Sequence, residues 1–423
     1  MMRRRIFATV LALGSLAATL AGGGASAAAD PTPRGVHLSL GSDPGTSMNV
    51  VWHTAGTNDP GTVVQYGPTQ ALGASATGVS KPTPGLPPSR QSTLHEVALT
   101  RLAPASTTYY RVGDGTTWSP ILAFRTPSSM TEQFSFAAFA DHGRTSQSQA
   151  TTAAVAQAAP DLAIIAGDVS YANSDLEEWD DWAEQVEPLA ASIPLMAAPG
   201  NHDTDPGQTP TPMAFIERFA FPDEELFFSF DYGRVHFLML HSTIGSSTTR
   251  EYVARQFLFA EQDLLDAAAR KEQGSLDFII VVQHHPLYGN QQAGLSSQLQ
   301  ERNYNPPLIA WEERLFATHD VDVLIVGHNH HYERSFPMRL GQPTTTGTST
   351  YVEPDGFIQV ITGGGGAGLY DFKPESDFGA WSAVHHRRHH YVRFDVSAGL
   401  LRATTIATDG TGEILDEWTL RRS

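Results

Sequence analysis

Short β-rich hydrophobic segments fill the first part of the chain, between Gly35 and Thr126. Clusters of Gly, Pro, Ser and Asn separate these segments, as is typical of strands joined by turns. The pattern predicts an all-β sandwich over residues 33–127, with the Pro-rich stretch Gly78–Ser89 as a loop. The predicted strands are Val36–Leu40, Met48–Trp52, Val63–Tyr66, Leu94–Leu99 and Tyr110–Val112.

Beyond a predicted linker at Thr126–Ser129, the pattern changes to apolar runs with helical stretches between several of them. This alternation predicts βαβ units, a largely parallel sheet system and an α/β domain over residues 132–420. Phe227–Phe230 and Val235–Leu240 are predicted to form a hairpin, and Tyr391–Leu420 further antiparallel strands. The predicted strands are Phe134–Ala140, Leu162–Ala166, Leu195–Ala198, Phe278–Val282, Val323–Val326 and Phe357–Ile361, and the predicted helices are Gln147–Ala159, Leu176–Ala191, Arg255–Arg270 and Leu308–Ala317.

Residues 1–29 have the pattern of an export signal. Arg3–Arg5 is cationic, Ile6–Leu20 is apolar over ~15 residues, and Ala27–Ala29 is a small-residue cleavage site. A membrane-spanning helix needs ~20 apolar residues, so we expect a signal peptide and a secreted protein with no transmembrane segment. Arg4–Phe7 also fits a loose twin-arginine pattern, so either export route is open.

The composition narrows the possible partners. Lys and Arg total 27 against 45 Asp and Glu, a net charge of −18, which becomes −21 once the three arginines of residues 1–29 are removed. This charge argues against nucleic acid as a broad-surface partner, because phosphate-backbone binding needs clustered cations. The chain has no cysteine, which excludes disulfides, zinc–thiolate sites and a cysteine nucleophile.

Polar side chains follow five of the predicted strands. The residues at these strand ends include two aspartates, a tyrosine, an asparagine and several histidines. Ligands of open α/β folds bind outside the carboxyl ends of strands, so these side chains are predicted to converge. Such a mixture of oxygen and nitrogen donors suits borderline and hard transition ions. The segments are Asp141–Gly143, Gly167–Tyr171, Gly200–Asp203, His284–Pro286 and Gly327–His330.

The chain resembles the calcineurin-like metallophosphoesterases, and among them the purple acid phosphatases with an N-terminal fibronectin type III-like domain. The family motifs GDxG, GDxxY, GNH[DE], VxxH and GHxH correspond in turn to Ala140–Gly143, Gly167–Tyr171, Gly200–Asp203, Val281–His284 and Gly327–His330. Ala140 replaces the glycine of the first motif. The resemblance implies a four-layer α/β/β/α catalytic sandwich after the all-β domain.

The resemblance also implies two metal ions. The first would be Fe(III), held by Asp141, Asp168, Tyr171 and His330. The second would be Fe, Zn or Mn(II), with Asp168 as a bridge and Asn201, His284 and His328 as its other ligands. A trivalent and a divalent ion, three anionic ligands and one hydroxide leave a charge of about +1, which would attract an anionic substrate to an acidic protein.

The implied activity is hydrolysis of small phosphate monoesters by metal-bound hydroxide, since two ions ~3.5–4 Å apart activate water and clamp an in-line displacement. His202 and Asp168 are the implied catalytic residues. His202 would stabilise the phosphoryl oxygens or protonate the leaving group. One alternative is a phosphodiesterase or nucleotide hydrolase with the same metal site. Another is a non-enzymatic cell-surface binding module.

Three further residues are weaker candidates for substrate contacts: His285, Arg144 and His241. His285 follows a predicted ligand, and a neighbour on an extended strand is expected to point the opposite way. Arg144 follows the first motif and His241 ends a predicted strand. Gly363–Gly368 does not open a convincing helix, so we expect a flexible loop at the rim of the cleft and no dinucleotide site.

Overall fold

The structure is a computed structural model of the 423-residue chain. It describes residues 30–57, 61–83, 90–128, 133–173, 175–203, 213–222, 226–243, 250–292, 306–347 and 349–422. The predicted signal peptide, residues 1–29, lies outside them.

Two four-stranded antiparallel sheets form the N-terminal sandwich, with strand orders β1-β2-β6-β5 and β4-β3-β7-β8. Its core includes Trp52, which is 1% exposed and stacks on His95 at a ring-centroid distance of 5.0 Å. The strands are β1 (Arg34–Leu40), β2 (Met48–Ala55), β3 (Val63–Gly67), β4 (Ala74–Thr77), β5 (Val79–Pro82), β6 (Ser92–Leu99), β7 (Thr107–Gly113) and β8 (Leu122–Arg125).

The loop prediction for Gly78–Ser89 is wrong at its start, because Val79–Pro82 is strand β5. It pairs antiparallel with β6 at the edge of its sheet. An edge strand tolerates a proline, since one row of its backbone groups has no partner strand. Residues 84–89 lie outside the described part of the chain.

Two seven-stranded mixed sheets build the second domain, with strand orders β11-β10-β9-β22-β23-β24-β19 and β12-β13-β14-β15-β20-β16-β21. Their strands are β9 (Phe134–Phe139), β10 (Leu162–Ala166), β11 (Leu195–Ala198), β12 (Phe228–Tyr232), β13 (Val235–Met239), β14 (Phe278–Val282), β15 (Val323–Val326), β16 (Tyr332–Ser335), β19 (Thr350–Val352), β20 (Ile358–Thr362), β21 (Ser382–His386), β22 (His390–Ser397), β23 (Leu400–Ala407) and β24 (Ile414–Arg421). A small ribbon is formed by β17 (Met338–Arg339) and β18 (Gln342–Pro343).

The expectation of a largely parallel system is only half right. Among the described residues, six strand pairs of these two sheets are parallel and six are antiparallel. The C-terminal meander β22-β23-β24 joins the first sheet by pairing antiparallel with β9. The helix-connected strands β9-β10-β11 and β13-β14-β15 are parallel, as strand–helix alternation requires.

The sheets pack face to face, and helices cover both outer faces. Phe136 of β9 meets Phe237 of β13 across the interface at a centroid distance of 5.3 Å. This confirms the predicted α/β/β/α layering. The helices are α1 (Ser146–Ala158), α2 (Leu176–Ala190), α3 (Met213–Arg218), α4 (Arg250–Glu272) and α5 (Pro306–Thr318), with a 3-10 turn at Glu375–Asp377.

The sandwich rests on helix α2 through strand β1. The Gly35 amide donates to Glu187 Oε2 at 2.8 Å, and the buried Tyr110 hydroxyl donates to the Ala191 carbonyl at 2.7 Å. His37 Nε2 lies 2.7 Å from the carbonyl oxygen of Arg218 at the end of α3. Helix α2 of the second domain therefore carries the sandwich.

Candidate functional site

The carboxyl ends of β9, β10, β11, β14 and β15 meet at one edge of the two facing sheets. Backbone hydrogen bonds connect the segments that follow them. The Asp141 amide donates to the Gly167 carbonyl at 3.1 Å, and the Gly327 amide donates to the His284 carbonyl at 2.9 Å. The predicted convergence of the strand ends is therefore present in the structure.

One group of donors surrounds the Tyr171 hydroxyl. This oxygen lies 3.1 Å from Asp141 Oδ1 and 2.8 Å from His330 Nε2, and the last two atoms are 3.2 Å apart. His330 Nδ1 donates to the Gly368 carbonyl at 2.7 Å, which leaves Nε2 facing Asp141 and Tyr171. All three residues belong to the set that the resemblance implies for the first ion.

A second group surrounds the Asn201 side-chain oxygen. His284 Nε2 lies 3.1 Å and His328 Nδ1 3.0 Å from Asn201 Oδ1. Asp168 Oδ2 is 3.3 Å from His284 Nε2. Oxygens of Asp141 and Asp168 and a nitrogen of His284 lie within 4.8 Å of one another, so Asp168 stands between the two groups.

These distances fit bound metal ions. Bonds of about 2.0–2.2 Å place neighbouring ligands of one ion about 3 Å apart, which is the spacing within each group. Asp141 and Asp168 are 0% and 1% exposed, and buried carboxylates need cationic partners. The His284 ring is oriented as a metal ligand requires, because its Nδ1 lies 3.0 Å from the Ala166 carbonyl.

The electrostatics of the two groups differ. Burial raises the pKa of the Tyr171 phenol, and the nearby charges of Asp141 and Asp168 raise it further. A phenolate at this position therefore needs a strongly Lewis-acidic partner. Burial would also raise the pKa of Asp168, but the charges of His284 and His202 outweigh this effect, so its pKa is lowered.

The backbone is strained where four of the donors sit. Asp141, Asp168, Tyr171 and His328 have φ angles of 55°, 49°, 58° and 68°. Non-glycine residues rarely adopt this left-handed region, and such strain clusters at functional sites. The turns that leave the strands hold these side chains in place at a conformational cost.

The Gly363–Gly366 segment is a packed part of the site, and the expectation of a flexible rim loop is wrong. These glycines are buried, and the Gly365 amide donates to the Ala140 carbonyl at 2.9 Å. A Cβ added to Gly365 would lie 2.3 Å from that carbonyl oxygen. The glycines allow the backbone to approach the Asp141 turn closely.

His202 stands at the open side of the site, with 36% of its side chain exposed. Its amide donates to Asp168 Oδ1 at 2.8 Å, and its ring stacks on Tyr171 at a centroid distance of 4.6 Å. Its Nδ1 is 2.5 Å from Asn173 Oδ1. Because the Asn173 amide oxygen accepts a hydrogen bond from the Nδ1–H group, the Nε2 atom of His202 is left to interact with the site.

Comparison with known proteins agrees with this geometry. Residues 33–126 match the family model "Purple acid Phosphatase, N-terminal domain", and residues 134–332 match "Calcineurin-like phosphoesterase". The Arabidopsis thaliana protein named probable purple acid phosphatase 20 is 31% identical over 317 residues, covering 72% of this chain and 70% of that protein. The chain belongs to the purple acid phosphatase family.

Other relatives cover almost the whole chain. Human acid phosphatase type 7 is 28% identical over 425 residues, which is 94% of this chain and 93% of the human protein. The purple acid phosphatase PPD1 of yellow lupin shares the fold, with a TM-score of 0.80 and 24% identity over 93% of this chain and 75% of that chain. Family membership makes the chain a phosphoester hydrolase, so the binding-module alternative is set aside.

The weaker candidates of this purple acid phosphatase sequence have different surroundings. The Arg144 guanidinium pairs with Glu178 at 2.7 Å and Asp181 at 2.9 Å, which ties the first motif to α2. His241 is fully buried, with Nδ1 3.0 Å from the Tyr252 hydroxyl. Burial lowers the pKa of His241 to about 4.

The expected orientation of His285 is wrong. Strand β14 ends at Val282, so His284 and His285 lie on a bend where strand alternation no longer holds. The His285 ring lies 4.4 Å from the ring of His328, between centroids. Ring nitrogens of His284, His285 and His328 lie within 4.8 Å of one another.

Three residues of the site were missed in the sequence. Tyr370 stacks on His330 at 3.8 Å with an interplanar angle of 10°. Asn173 holds His202, and Asp203 accepts the Val169 and Gly200 amides at 2.9 Å each. Asp203 ends a recognised motif and could have been found. Tyr370 lies 40 residues beyond His330 with no local signal.

The described part of the chain contains no helix that is both long enough and apolar enough to cross a membrane.

Proposed function

We propose that this purple acid phosphatase relative hydrolyses small phosphate monoesters at a binuclear metal centre. The observation that carries the proposal is the pair of donor groups that share Asp168, with His202 exposed beside them. We assign Asp141, Asp168, Tyr171 and His330 to a ferric ion. We assign Asp168, Asn201, His284 and His328 to a divalent Fe, Zn or Mn ion. When bound, the two ions supply Lewis acidity and an activated water.

The residues around the centre have separate tasks in this proposal. Asp168 would hold both ions, and its Oδ1 atom accepts the His202 amide at 2.8 Å. Asn173 orients His202 through Nδ1, so Nε2 would face the phosphoryl oxygens or the leaving group. Arg144 has no phosphate-binding role in this proposal, because its guanidinium already forms ion pairs with Glu178 and Asp181.

We further propose that the protein is exported through its residues 1–29 and that the domains span 33–127 and 132–420. The cationic, apolar and small-residue segments of 1–29 support export. The family models, which match 33–126 and 134–332, support a division near residue 130.

Metal analysis with visible absorption and a substrate panel tests the function. We expect two metal ions per chain, one of them iron with a tyrosinate-to-iron absorption band, and faster turnover of monoesters than of diesters. Absence of iron and of the band would overturn the ferric assignment. Faster diester turnover would favour the phosphodiesterase alternative.

Asp168→Asn provides the matching variant test. We expect both ions and turnover to be lost together, because one carboxylate serves both donor groups. Asp277→Asn is the control. Asp277 is also buried, but it lies away from the site, where it forms an ion pair with Arg234 at an N–O distance of 2.7 Å. Turnover retained in Asp168→Asn would refute the bridging role.

A further inference from the structure

The hydroxyl of Ser242 fixes the state of the His285 ring. Its oxygen accepts the His284 amide at 3.2 Å and the His285 amide at 2.9 Å. A serine oxygen has two acceptor positions and one hydrogen to donate. Both acceptor positions are occupied, so the hydroxyl donates its hydrogen to His285 Nδ1, which lies 3.0 Å away.

This contact determines what the other ring nitrogen offers. A neutral imidazole that accepts at Nδ1 carries its proton on Nε2. A ring that accepts a hydrogen bond at Nδ1 has a lone pair there, so the contact with Ser242 requires the neutral form of His285. Nε2 therefore presents an N–H donor and no lone pair for a metal ion.

The Nε2–H donor has no acceptor among the described residues. The Nε2 atom is buried and unpaired, and His285 as a whole is only 7% exposed. Buried polar groups are nearly always paired, so an unpaired donor in a functional cleft indicates a missing acceptor. The Gln283 side-chain amide fixes the backbone at this point by donating to the His285 carbonyl at 2.9 Å, and Ser242 holds the ring itself through Nδ1.

The position of the ring identifies that acceptor. His285 packs against His328 at 4.4 Å and His284 at 5.0 Å, between centroids, and both are assigned to the divalent ion. A metal ion binds the oxygen atoms of a ligand, and a phosphoryl group carries several oxygens that can also accept a hydrogen bond. A fixed donor next to the ion would bind such an oxygen.

We propose that His285 donates a hydrogen bond from Nε2 to an oxygen of the phosphoryl group held beside the divalent ion. His285 is then a substrate-positioning residue on the side of the cleft where His284 and His328 lie. This inference rests on the proposed binuclear phosphatase function.

Calorimetric titration of the metal-loaded enzyme with inorganic phosphate tests the inference through two substitutions. Asn in place of His285 keeps an acceptor near the Nδ1 position but has no group at Nε2. Gln places a side-chain amide near Nε2. We expect His285→Asn to weaken phosphate binding about 10-fold or more, and His285→Gln to recover most of the loss. Metal content, measured on the same samples, should stay at the wild-type level.

The control is His95→Asn, because His95 is a fully buried histidine of the sandwich held by Thr54 and Thr62 hydroxyls. Phosphate binding should be unchanged in it. Wild-type affinity in His285→Asn would overturn the inference, and so would loss of the second ion, which would make His285 a ligand. A wild-type protein without bound metal or phosphatase activity would refute the proposed function itself.

Discussion

At the scale of single residues, the contact between His202 and Asn173 determines how the exposed imidazole can act. We expect His202→Ala to keep both metal ions and to lower kcat by about 10²–10⁴-fold, the usual contribution of a positioned acid–base group. Metal analysis and steady-state kinetics on the same preparation measure both quantities. A variant as fast as the wild type would remove His202 from the mechanism.

Asn173 should act only through His202. Its side chain lies 2.5 Å from His202 Nδ1, and its backbone amide donates to the His202 carbonyl at 3.2 Å. We expect Asn173→Ala to lower kcat less than His202→Ala does. The double variant should match His202→Ala alone, because residues of one network are not additive. Additive losses would contradict a positioning role for Asn173.

The residues that sequence reasoning identified are those that directly follow buried strands. Asp141, Asp168 and His284 come after apolar runs whose parallel ends must meet. His285 was misjudged because a two-residue periodicity applies only while the strand continues, and β14 has already ended. Tyr370 reaches the site through tertiary packing of a glycine-rich segment, which no sequence period encodes.

At the scale of elements, Gly167 sets how closely the ends of β10 and β14 approach. A Cβ at Gly167 would lie 2.4 Å from His284 Nδ1, and the residue has φ +85°. We expect Gly167→Ala to displace His284 and to lose the divalent ion, as measured by metal analysis after dialysis.

Gly274→Ala is the matched control for that substitution. Gly274 has φ +74°, but nothing lies within 4 Å of an added Cβ. It should cost only the conformational strain of about 1–2 kcal/mol and keep both ions. Equal metal loss in the two variants would show that backbone strain, and not contact with His284, is responsible.

The β12–β13 hairpin is joined to helix α4 by a buried charged histidine. His236 lies 2.8 Å from both Asp231 and Asp263. Burial alone would lower the pKa of His236, but hydrogen bonds to the two carboxylates outweigh it and raise this pKa to about 9. Since the folded-state pKa exceeds the unfolded value, the stabilisation is complete below pH ~6.5 and is lost as pH rises through ~9.

Urea unfolding of His236→Gln checks this pH dependence. We expect the variant to be less stable than the wild type by on the order of 2 kcal/mol at pH 6, with a smaller difference at pH 10. A difference that is the same at both pH values would show that the His236 charge does not contribute to stability.

Element type was more predictable than strand direction. The predicted helix Leu176–Ala191 is observed as Leu176–Ala190, because apolar spacing reports burial directly. Strand β22 pairs antiparallel with β9, although more than 200 residues separate the two strands in the chain. Local spacing of apolar residues cannot predict such a pairing. Strand β5 was predicted to be part of a loop because its segment is rich in proline, which an edge strand accepts.

At the scale of the whole molecule, the sequence indicated two structural units but not how they support each other. Helix α2 carries β1 on one side. From the same helix the Trp182 indole donates to His142 Nδ1 at 3.1 Å, one residue beyond Asp141. A chain without cysteine has no disulfide to join its parts, so this packing must connect the sandwich to the site.

We therefore expect the sandwich and the catalytic domain to unfold in one transition. Tyr110→Phe removes the hydroxyl that donates to the Ala191 carbonyl at 2.7 Å, a loss of about 1–2 kcal/mol. Differential scanning calorimetry should show a single peak at lower temperature, and thermal inactivation should shift with it. Tyr109→Phe is the control, because Tyr109 precedes Tyr110 on β7 but is only partly buried. Two separate peaks, with activity surviving the first, would show that the sandwich does not stabilise the site.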